Sequence, residues 1–390
     1  MGSSILTNRS AMTALQTLRA IDSNLDKSKD RVATGLRISN AADNTAYWSI
    51  SSMMRHDSNT MSAVIDAINL GKEQVSIAAT AVNLTKEALD DIQKSMISVH
   101  EKTGGDIAKL QESMKANMKN ISNAVQSASF GGKNILSNGD QTVGIAASYR
   151  REGTAVYVDM VEVGGRELNF GVLGEDGTID MTAGVLQNIF GKASAGDDLL
   201  REEEGGFDKA LETFYEAEAA YKKLEDDVAE AKAALAADPL NEEAKSALKE
   251  AKEALEGGQE DWDEAKAAFK EETDKITLAE FTEMFGVDKL SAEAQHILLG
   301  SLQNTVRDAV DATLTAGAKI GSAVNLVNNQ LEFVKKLLDN VDAGIGALVD
   351  ADMNAESAKL SALQVQQQLG IQALSIANQG SQNILLLFRN

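Results

Sequence analysis

Side chains that commonly do chemistry are sparse in this sequence. It contains no cysteine, which excludes disulfides, thiolate nucleophiles and cysteine-ligated metals. The three histidines, His56, His100 and His296, lie far apart, and none has a second histidine four residues further on. That spacing is what would place two imidazoles on one helix face around a metal. We therefore interpret all three as partly exposed helix residues.

Acidic side chains are plentiful, but their spacing is typical of solvated helix faces. Carboxylates are adjacent at 202–204, 225–227 and 242–243, and such runs usually point into water. The nucleophile elbow GxSxG, the phosphate-binding GxxxxGK[ST], the dinucleotide-binding GxGxxG and the zinc-protease HExxH do not occur. We therefore expect no catalytic residue, no cofactor and no metal.

Apolar residues at both chain ends follow a spacing of three and four. In the first stretch, residues 4–33, they are Met12, Leu15, Leu18, Ile21, Leu25 and Val32. In the last, residues 352–388, the positions are Leu360, Leu363, Gln367, Gly370, Leu374, Ala377, Ser381, Ile384 and Phe388. This spacing is typical of paired helices. We predict that the two ends form an antiparallel coiled coil, although the same stripes would suit an ordinary intramolecular bundle. Its seam would contain Leu15, Leu18, Leu25, Val32, Leu360, Leu363, Leu374 and Ile384.

The region between the ends contains further long helices and one change of period. A second helix is predicted from Asp43 or Asn44, as N-cap, to about residue 101, a third from 106 to 128, and a long one from 292. Residues 141–190 carry short β-branched and aromatic runs between glycine-rich turns, which predict strands. Residues 197–285 return to helical spacing, with a restart at Asp238-Pro239 and a break at Gly257-Gly258.

These segments predict a mainly α protein with an inserted middle. Long antiparallel helices from both termini form a coiled coil or bundle, and the inserted variable region holds a small β-rich element and a charged helical bundle. The predicted domains are 1–43 with 350–390, 44–138 with 295–349, 139–196 with 286–294, and 197–285. Residues 197–276 hold 26 acidic and 11 basic side chains, which is −15 of the formal charge of −22.

Short motifs at opposite ends of the chain resemble those of bacterial flagellins. They are SILTN at 4–8, TGLRISNAADN at 34–44, SIS at 49–51, DADM at 350–353, ALSIANQ at 373–379 and QNIL at 382–385. The resemblance covers about residues 1–138 and 295–390. It is specific, because these motifs occur in the family's order at opposite ends of the chain. Tyr47-Trp48 are bulky where the family commonly has small residues.

The resemblance implies a non-enzymatic structural subunit that polymerises into the extracellular filament used for swimming. Implied partners are copies of itself and other flagellins, the flagellar export chaperone, and the cap and hook-associated proteins. Implied export is by flagellar type III secretion without signal-peptide cleavage, and residues 1–4 have no basic or apolar signal region. The acidic balance argues against binding to nucleic acid. The sequence contains no apolar run of 18 residues, so we expect no membrane insertion.

The resemblance also identifies a linker between the predicted inner and outer helices. Arg37, Asn40, Asp43 and Asn44 lie in that linker, and we expect their polar groups to hold its conformation and its contacts with other subunits. Two other interpretations stay open within non-enzymatic proteins, a hook–filament junction protein and a coiled-coil adhesin or binding module. An enzyme in the variable region ranks behind them.

Overall fold

The computed structural model describes residues 8–100, 107–153, 155–174, 177–191, 206–284 and 286–387. Its helices are α1 (Arg9–Thr34), α2 (Thr45–His100), α3 (Ile107–Ser127), α4 (Gln187–Phe190), α5 (Gly206–Ala237), α6 (Glu242–Thr273), α7 (Leu278–Glu283), α8 (Ala292–Val349) and α9 (Met353–Leu387). Its strands are β1 (Ser129–Phe130), β2 (Lys133–Asn134), β3 (Thr142–Glu152), β4 (Ala155–Gly164), β5 (Val172–Leu173) and β6 (Ile179–Asp180). The predicted mainly α fold is confirmed.

Local capping residues define the ends of the long helices. Asn8 caps α1, because its side-chain oxygen accepts a hydrogen bond from the amide of Ala11. Gly35 ends α1 with a φ of 72°, a left-handed conformation that favours glycine. Of the two N-caps predicted for α2, Asn44 is the one used, and Asp352 caps α9 in the same way.

The chain divides into two compact units, of which the first combines both chain ends. This terminal unit consists of Met1–Asp66 and Leu331–Asn390. Within it α1 pairs with α9, and the first part of α2 pairs with the last part of α8. Ser58 Oγ donates to Asp342 Oδ1 across the second pair at 2.8 Å. Met54 lies beside Gly344, so that pair is antiparallel, as predicted.

The second unit, Ala67–Gln330, contains the larger apolar core. The third predicted helix, α3, buries one apolar face there, with Ile107, Leu110, Met114, Met118, Ile121 and Val125. The strands β3 and β4 form an antiparallel hairpin with one irregularity between Ala146 and Ser148. Ile145 of this hairpin packs directly against Gly71 of α2. One of the runs within 141–190 that predicted strands, at 167–170, does not form one, because the chain there makes a short 3₁₀ turn followed by an irregular segment.

The charged module of this central unit is a hairpin of α5 and α6. Its buried end is aromatic, with the ring of Phe214 4.7 Å from Trp262 and 4.9 Å from Phe269. The predicted restart at Asp238-Pro239 is wrong by three residues, because Asn241 makes the capping hydrogen bonds.

The predicted break at Gly257-Gly258 is also wrong, because α6 continues through both glycines. At Gly258 an added Cβ would lie 2.3 Å from Leu224 Cδ1. The absent side chain lets α5 approach α6 closely, so packing between the two helices outweighs the poor helix propensity of glycine.

Candidate assembly site

The linkers at the two chain ends are joined by backbone hydrogen bonds. Leu36 and Asp350 form an isolated antiparallel bridge. The amide of Arg37 donates to the carbonyl of Val349 at 2.6 Å, and the amide of Ala351 donates to the carbonyl of Gly35 at 2.9 Å. The segment after α1 and the segment before α9 therefore pair side by side in antiparallel orientation, and we call this paired connection the crossing.

A small apolar cluster packs beside this crossing. Ile38, Ile345 and Val349 are buried in it, and Leu36, Met54, Val341 and Leu348 cover it in part. The cluster contains few side chains, and each one that is fully buried contributes roughly 1.5–3 kcal/mol to the free energy of folding. It holds the crossing in place together with the backbone bonds.

The side chain of Arg37 contributes a third tie between the linkers. Its Nη2 donates to the carbonyl of Leu348 at 2.9 Å. Leu348 lies in the last turn of α8, where carbonyl oxygens have no helical partner and the helix dipole favours a positive charge. Arg37 thus acts as a C-cap for α8 supplied by the other end of the chain.

Asp43 holds the turn between the crossing and α2. Its Oδ2 accepts hydrogen bonds from the amides of Ser39 and Asn40 at 3.1 and 3.2 Å. These two backbone bonds are the main reason that the pKa of Asp43 is lowered from 3.8, with smaller contributions from the Ser39 hydroxyl and the charge of Arg31. The Asn40 side chain accepts from the amide of Ala42 at 3.0 Å. Asn40, Asp43 and Asn44 therefore bond to nearby residues, whereas Arg37 bonds to the other chain end.

The predicted seam of α9 agrees with the burial of its side chains. Leu363 is buried, and Leu360, Gln367, Gly370, Leu374 and Ala377 are half-buried. Ile384 lies outside the residues whose side chains are described. Of the predicted positions in α1, Leu25 is buried and Leu18 and Val32 are half-buried.

Leu15 departs from the predicted seam, because it is exposed to solvent together with Met12. Ala11 and Ala14 are half-buried in their place. The reason is geometric. Each step of three residues falls about 60° short of a full turn, so successive steps of three from Leu18 rotate away from α9, whereas alternating steps of four and three keep the seam facing it.

Two polar seam residues, Ser28 and Glu356, are absent from the predicted positions. Ser28 lies three residues after Leu25, and Glu356 lies four before Leu360. Both are buried, and Ser28 Oγ donates to Glu356 Oε1 at 2.7 Å. Extending the same spacing through polar residues would have found them.

Large apolar side chains cover the outside of the terminal unit. On α1 and α9 they include Met12, Leu15, Met353, Val365, Leu369, Ile371 and Ile376. The start of α2 adds Tyr47, Trp48, Ile50 and Met53. By contrast, only Leu25 and Leu363 are buried apolar residues in the described parts of α1 and α9. Exposed apolar area of this extent is typical of a surface that binds another protein.

No three histidine, cysteine or carboxylate residues in the described part of the chain are placed to hold a metal ion. Within the same part of the chain, we find no helix with the combined length and hydropathy of a membrane-spanning segment.

Comparison with known proteins matches both chain ends. The model of the bacterial flagellin N-terminal helical region matches residues 5–141, and that of the C-terminal helical region matches residues 302–388. A flagellin of Bartonella bacilliformis is 68% identical over 374 residues, which covers 96% of this chain and 97% of that protein. A flagellin of Brucella melitensis biotype 1 is 32% identical, and flagellin D of Rhizobium meliloti 35%, each over 99% of both chains. These matches extend through the middle of the chain, where the motifs gave no guide.

Proposed function

The chain belongs to the bacterial flagellin family. We propose that its terminal helices, together with the linker between α1 and α2, form the contacts through which this subunit polymerises. The protein is a structural subunit of the flagellar filament used for motility, and it acts outside the cell.

The observation that carries the proposal is the apolar outer surface of α1 and α9. Ile376 is 69% exposed and Met12 is 62% exposed. Each such side chain contributes roughly 1.5–3 kcal/mol when it becomes fully buried. A polymer of identical chains can bury all of them at once, because every copy presents the same surface to its neighbours.

The thin interior of the α1–α9 pair supports folding that is coupled to assembly. Among the side chains described in α1 and α9, Leu25 and Leu363 are the buried apolar ones. This part of the pair therefore gains little from its own packing, while ordering each residue costs about 1–2 kcal/mol of backbone entropy. We therefore assign 1–43 with 350–390 to an inner layer that is disordered in the monomer and folds on addition.

The remaining predicted domains follow outward from that layer. Residues 44–138 with 295–349 form the next shell, and their long helices make contacts along and between protofilaments. The β-rich element, 139–196 with 286–294, and the charged module, 197–285, project outward. The net charge of −15 on residues 197–276 suits a solvated outer surface.

Arg37, Asn40, Asp43 and Asn44 are assigned to the connection between the inner layer and the shell. Their hydrogen bonds to Leu348, Ala42, Ser39 and the first turn of α2 support this role, because a crossing held at fixed geometry would place both layers in register. Changes at Arg37 and Asp43 should therefore alter filament formation or filament shape.

Further partners and the export route complete the proposal. The chain is exported unfolded by flagellar type III secretion without cleavage, aided by an export chaperone. It is added at the tip beneath the cap, and the filament joins the hook through hook-associated proteins. No catalytic activity is assigned to it. A junction protein or an adhesin would share a helical stalk, but neither would polymerise without limit.

Seeded polymerisation, followed by electron microscopy, tests the proposal. Full-length protein is added to short filament seeds, beside a variant that lacks residues 1–43 and 350–390. We expect the seeds to grow into long filaments with the full-length chain and to keep their length with the truncated one. Discrete monomers or small oligomers of the full-length chain would instead favour a junction protein or an adhesin.

A further inference from the structure

The α1–α9 seam contains a buried polar pair that its apolar residues do not require. Ser28 is 1% exposed and Glu356 is 9% exposed. The hydroxyl of Ser28 donates to Glu356 Oε1 at 2.7 Å. A carboxylate loses much of its hydration when it is buried, so it remains there only with partners at the correct positions.

Two cations complete the surroundings of Glu356. Arg31 of α1 lies with Nη1 3.9 Å from Glu356 Oε2, and Lys359 of α9 lies with Nζ 3.7 Å from Oε1. Arg31 and Ser28 both belong to the facing helix, so the compensation of this buried charge depends on how the two helices are aligned.

Two further hydrogen bonds continue the polar contacts along the same pair. Gln367 Nε2 donates to Asp22 Oδ1 at 2.7 Å. Near the start of α1, Asn8 Nδ2 donates to the carbonyl of Ala377 at 2.9 Å, while the same side chain caps the helix. Together with the Ser28–Glu356 bond they form three ties, which we call the polar ladder.

We propose that the polar ladder, and the Ser28–Glu356 bond above all, selects the register of the terminal helices during assembly. The inference rests on the proposed function, in which these helices pair as a subunit is added to the filament.

The apolar residues of the seam cannot supply that selection. Leu18, Leu25 and Val32 are aliphatic residues seven apart, so a slip of one heptad again places aliphatic residues opposite one another. The same slip moves Glu356 from Ser28 to the position of Ile21 or Gly35, neither of which has a side-chain donor. The buried carboxylate therefore penalises registers that the apolar seam tolerates, which is the best-attested use of buried polar groups in coiled coils.

Engineered cysteine pairs can measure the register, because the chain has no cysteine of its own. In the native register Leu18 contacts Gly370, with an added Cβ at Gly370 3.2 Å from Leu18 Cδ1. Leu18→Cys with Gly370→Cys reports that register, and Leu18→Cys with Ala377→Cys reports a slip of one heptad. Filaments of each pair are treated with a short bismaleimide, and the intrachain product is quantified by mass spectrometry.

The test compares three backgrounds for each cysteine pair. They are the parent, the apolar replacement Ser28→Ala with Glu356→Leu, and the conservative Glu356→Gln, whose amide oxygen still accepts from Ser28. We expect the ratio of slipped to native product to rise about tenfold or more in the apolar replacement, as loss of a hydrogen bond to a charged group predicts. The ratio in Glu356→Gln should stay near the parent value. Ser28→Ala alone, a smaller change, should also raise it.

Filaments of the apolar replacement whose ratio of slipped to native product matches the parent would overturn the inference while the proposed function stands. A parent chain that adds nothing to filament seeds would overturn the proposed function, and this inference with it.

Discussion

The change Leu25→Ala separates the folding of the chain ends from the folding of the central unit. Leu25 is 3% exposed and is the buried apolar residue of the described part of α1. Removing a buried leucine side chain costs about 2–5 kcal/mol, and least where the surroundings can relax. The α1–α9 pair has little packing around it, so we take about 2 kcal/mol.

Under coupled folding this loss affects subunit addition instead of the stability of the monomer. A change of about 1.4 kcal/mol alters an equilibrium constant tenfold, so about 2 kcal/mol raises the critical concentration for polymerisation roughly 30-fold. The melting temperature of the soluble chain should be unchanged, because in that state α1 contributes no packed structure to lose.

The assay measures unassembled protein after seeded polymerisation at a series of total concentrations, with sedimentation to remove filaments. Two leucine variants serve as controls. Leu240 is 85% exposed in the turn between α5 and α6. Leu240→Ala should therefore change neither the critical concentration nor the melting temperature of the monomer. Leu298→Ala, in the core of the central unit, should lower the melting temperature of the monomer by the usual cost of a core cavity.

One result would refute this reasoning. If Leu25→Ala lowers the melting temperature of the monomer and leaves the critical concentration within about twofold of the parent, the α1–α9 pair is already folded before assembly. The exposed apolar surface would then be a preformed docking face, and folding on addition would be excluded.

The remaining predictions concern the linker and the glycines. Since the backbone bonds lower the folded pKa of Asp43 from 3.8, the stabilisation it gives is present at neutral pH and is lost only as the pH falls through that lowered value. A solid-state NMR titration of its carboxyl carbon in the filament should show a midpoint below 3.8, and a midpoint at or above that value would contradict the turn described here. Gly71→Ala should lower the melting temperature of the soluble chain, because its Cβ would lie 2.0 Å from Ile145 Cγ2. Gly300→Ala, with no atom within 4 Å of the added Cβ, should raise stability by about 0.5–1 kcal/mol; equal effects of the two variants would refute the close packing at Gly71.

The long helices could be predicted from sequence because their signals are local and repeated. The apolar period extends over many turns in α2, α8 and α9, and a clear cap such as Asn44 or Asp352 begins two of them. The face of α3 followed from the same period. In a long apolar stripe, one residue that departs from the period hardly weakens the prediction, because many other positions support it.

The errors arose where a tertiary contact outweighs a local preference. Gly257-Gly258 has the composition of a helix end, but the close approach of Leu224 keeps α6 continuous. The sequence alone could not show that α5 would lie there. Leu15 is the most apolar choice near its position, yet the direction of α9 places smaller residues of α1 at the contact.

The linker shows the same limit within the candidate site. The resemblance identified Arg37, Asn40, Asp43 and Asn44 as a group, but the partner of Arg37 depends on the other chain end. Arg37 bonds to a carbonyl more than 300 residues away in sequence. Asp43, in contrast, bonds within its own turn, which a local motif can specify.

Hydrogen exchange of the monomer and of the filament, compared by mass spectrometry, tests the central claim most directly. The claim is that the terminal helices fold when a subunit joins the filament. We predict that the amides of α1 and α9 exchange rapidly in the monomer and become protected in the filament, while α3 and the central part of α8 are protected in both. Equal protection of α1 and α9 in the two states would contradict the account.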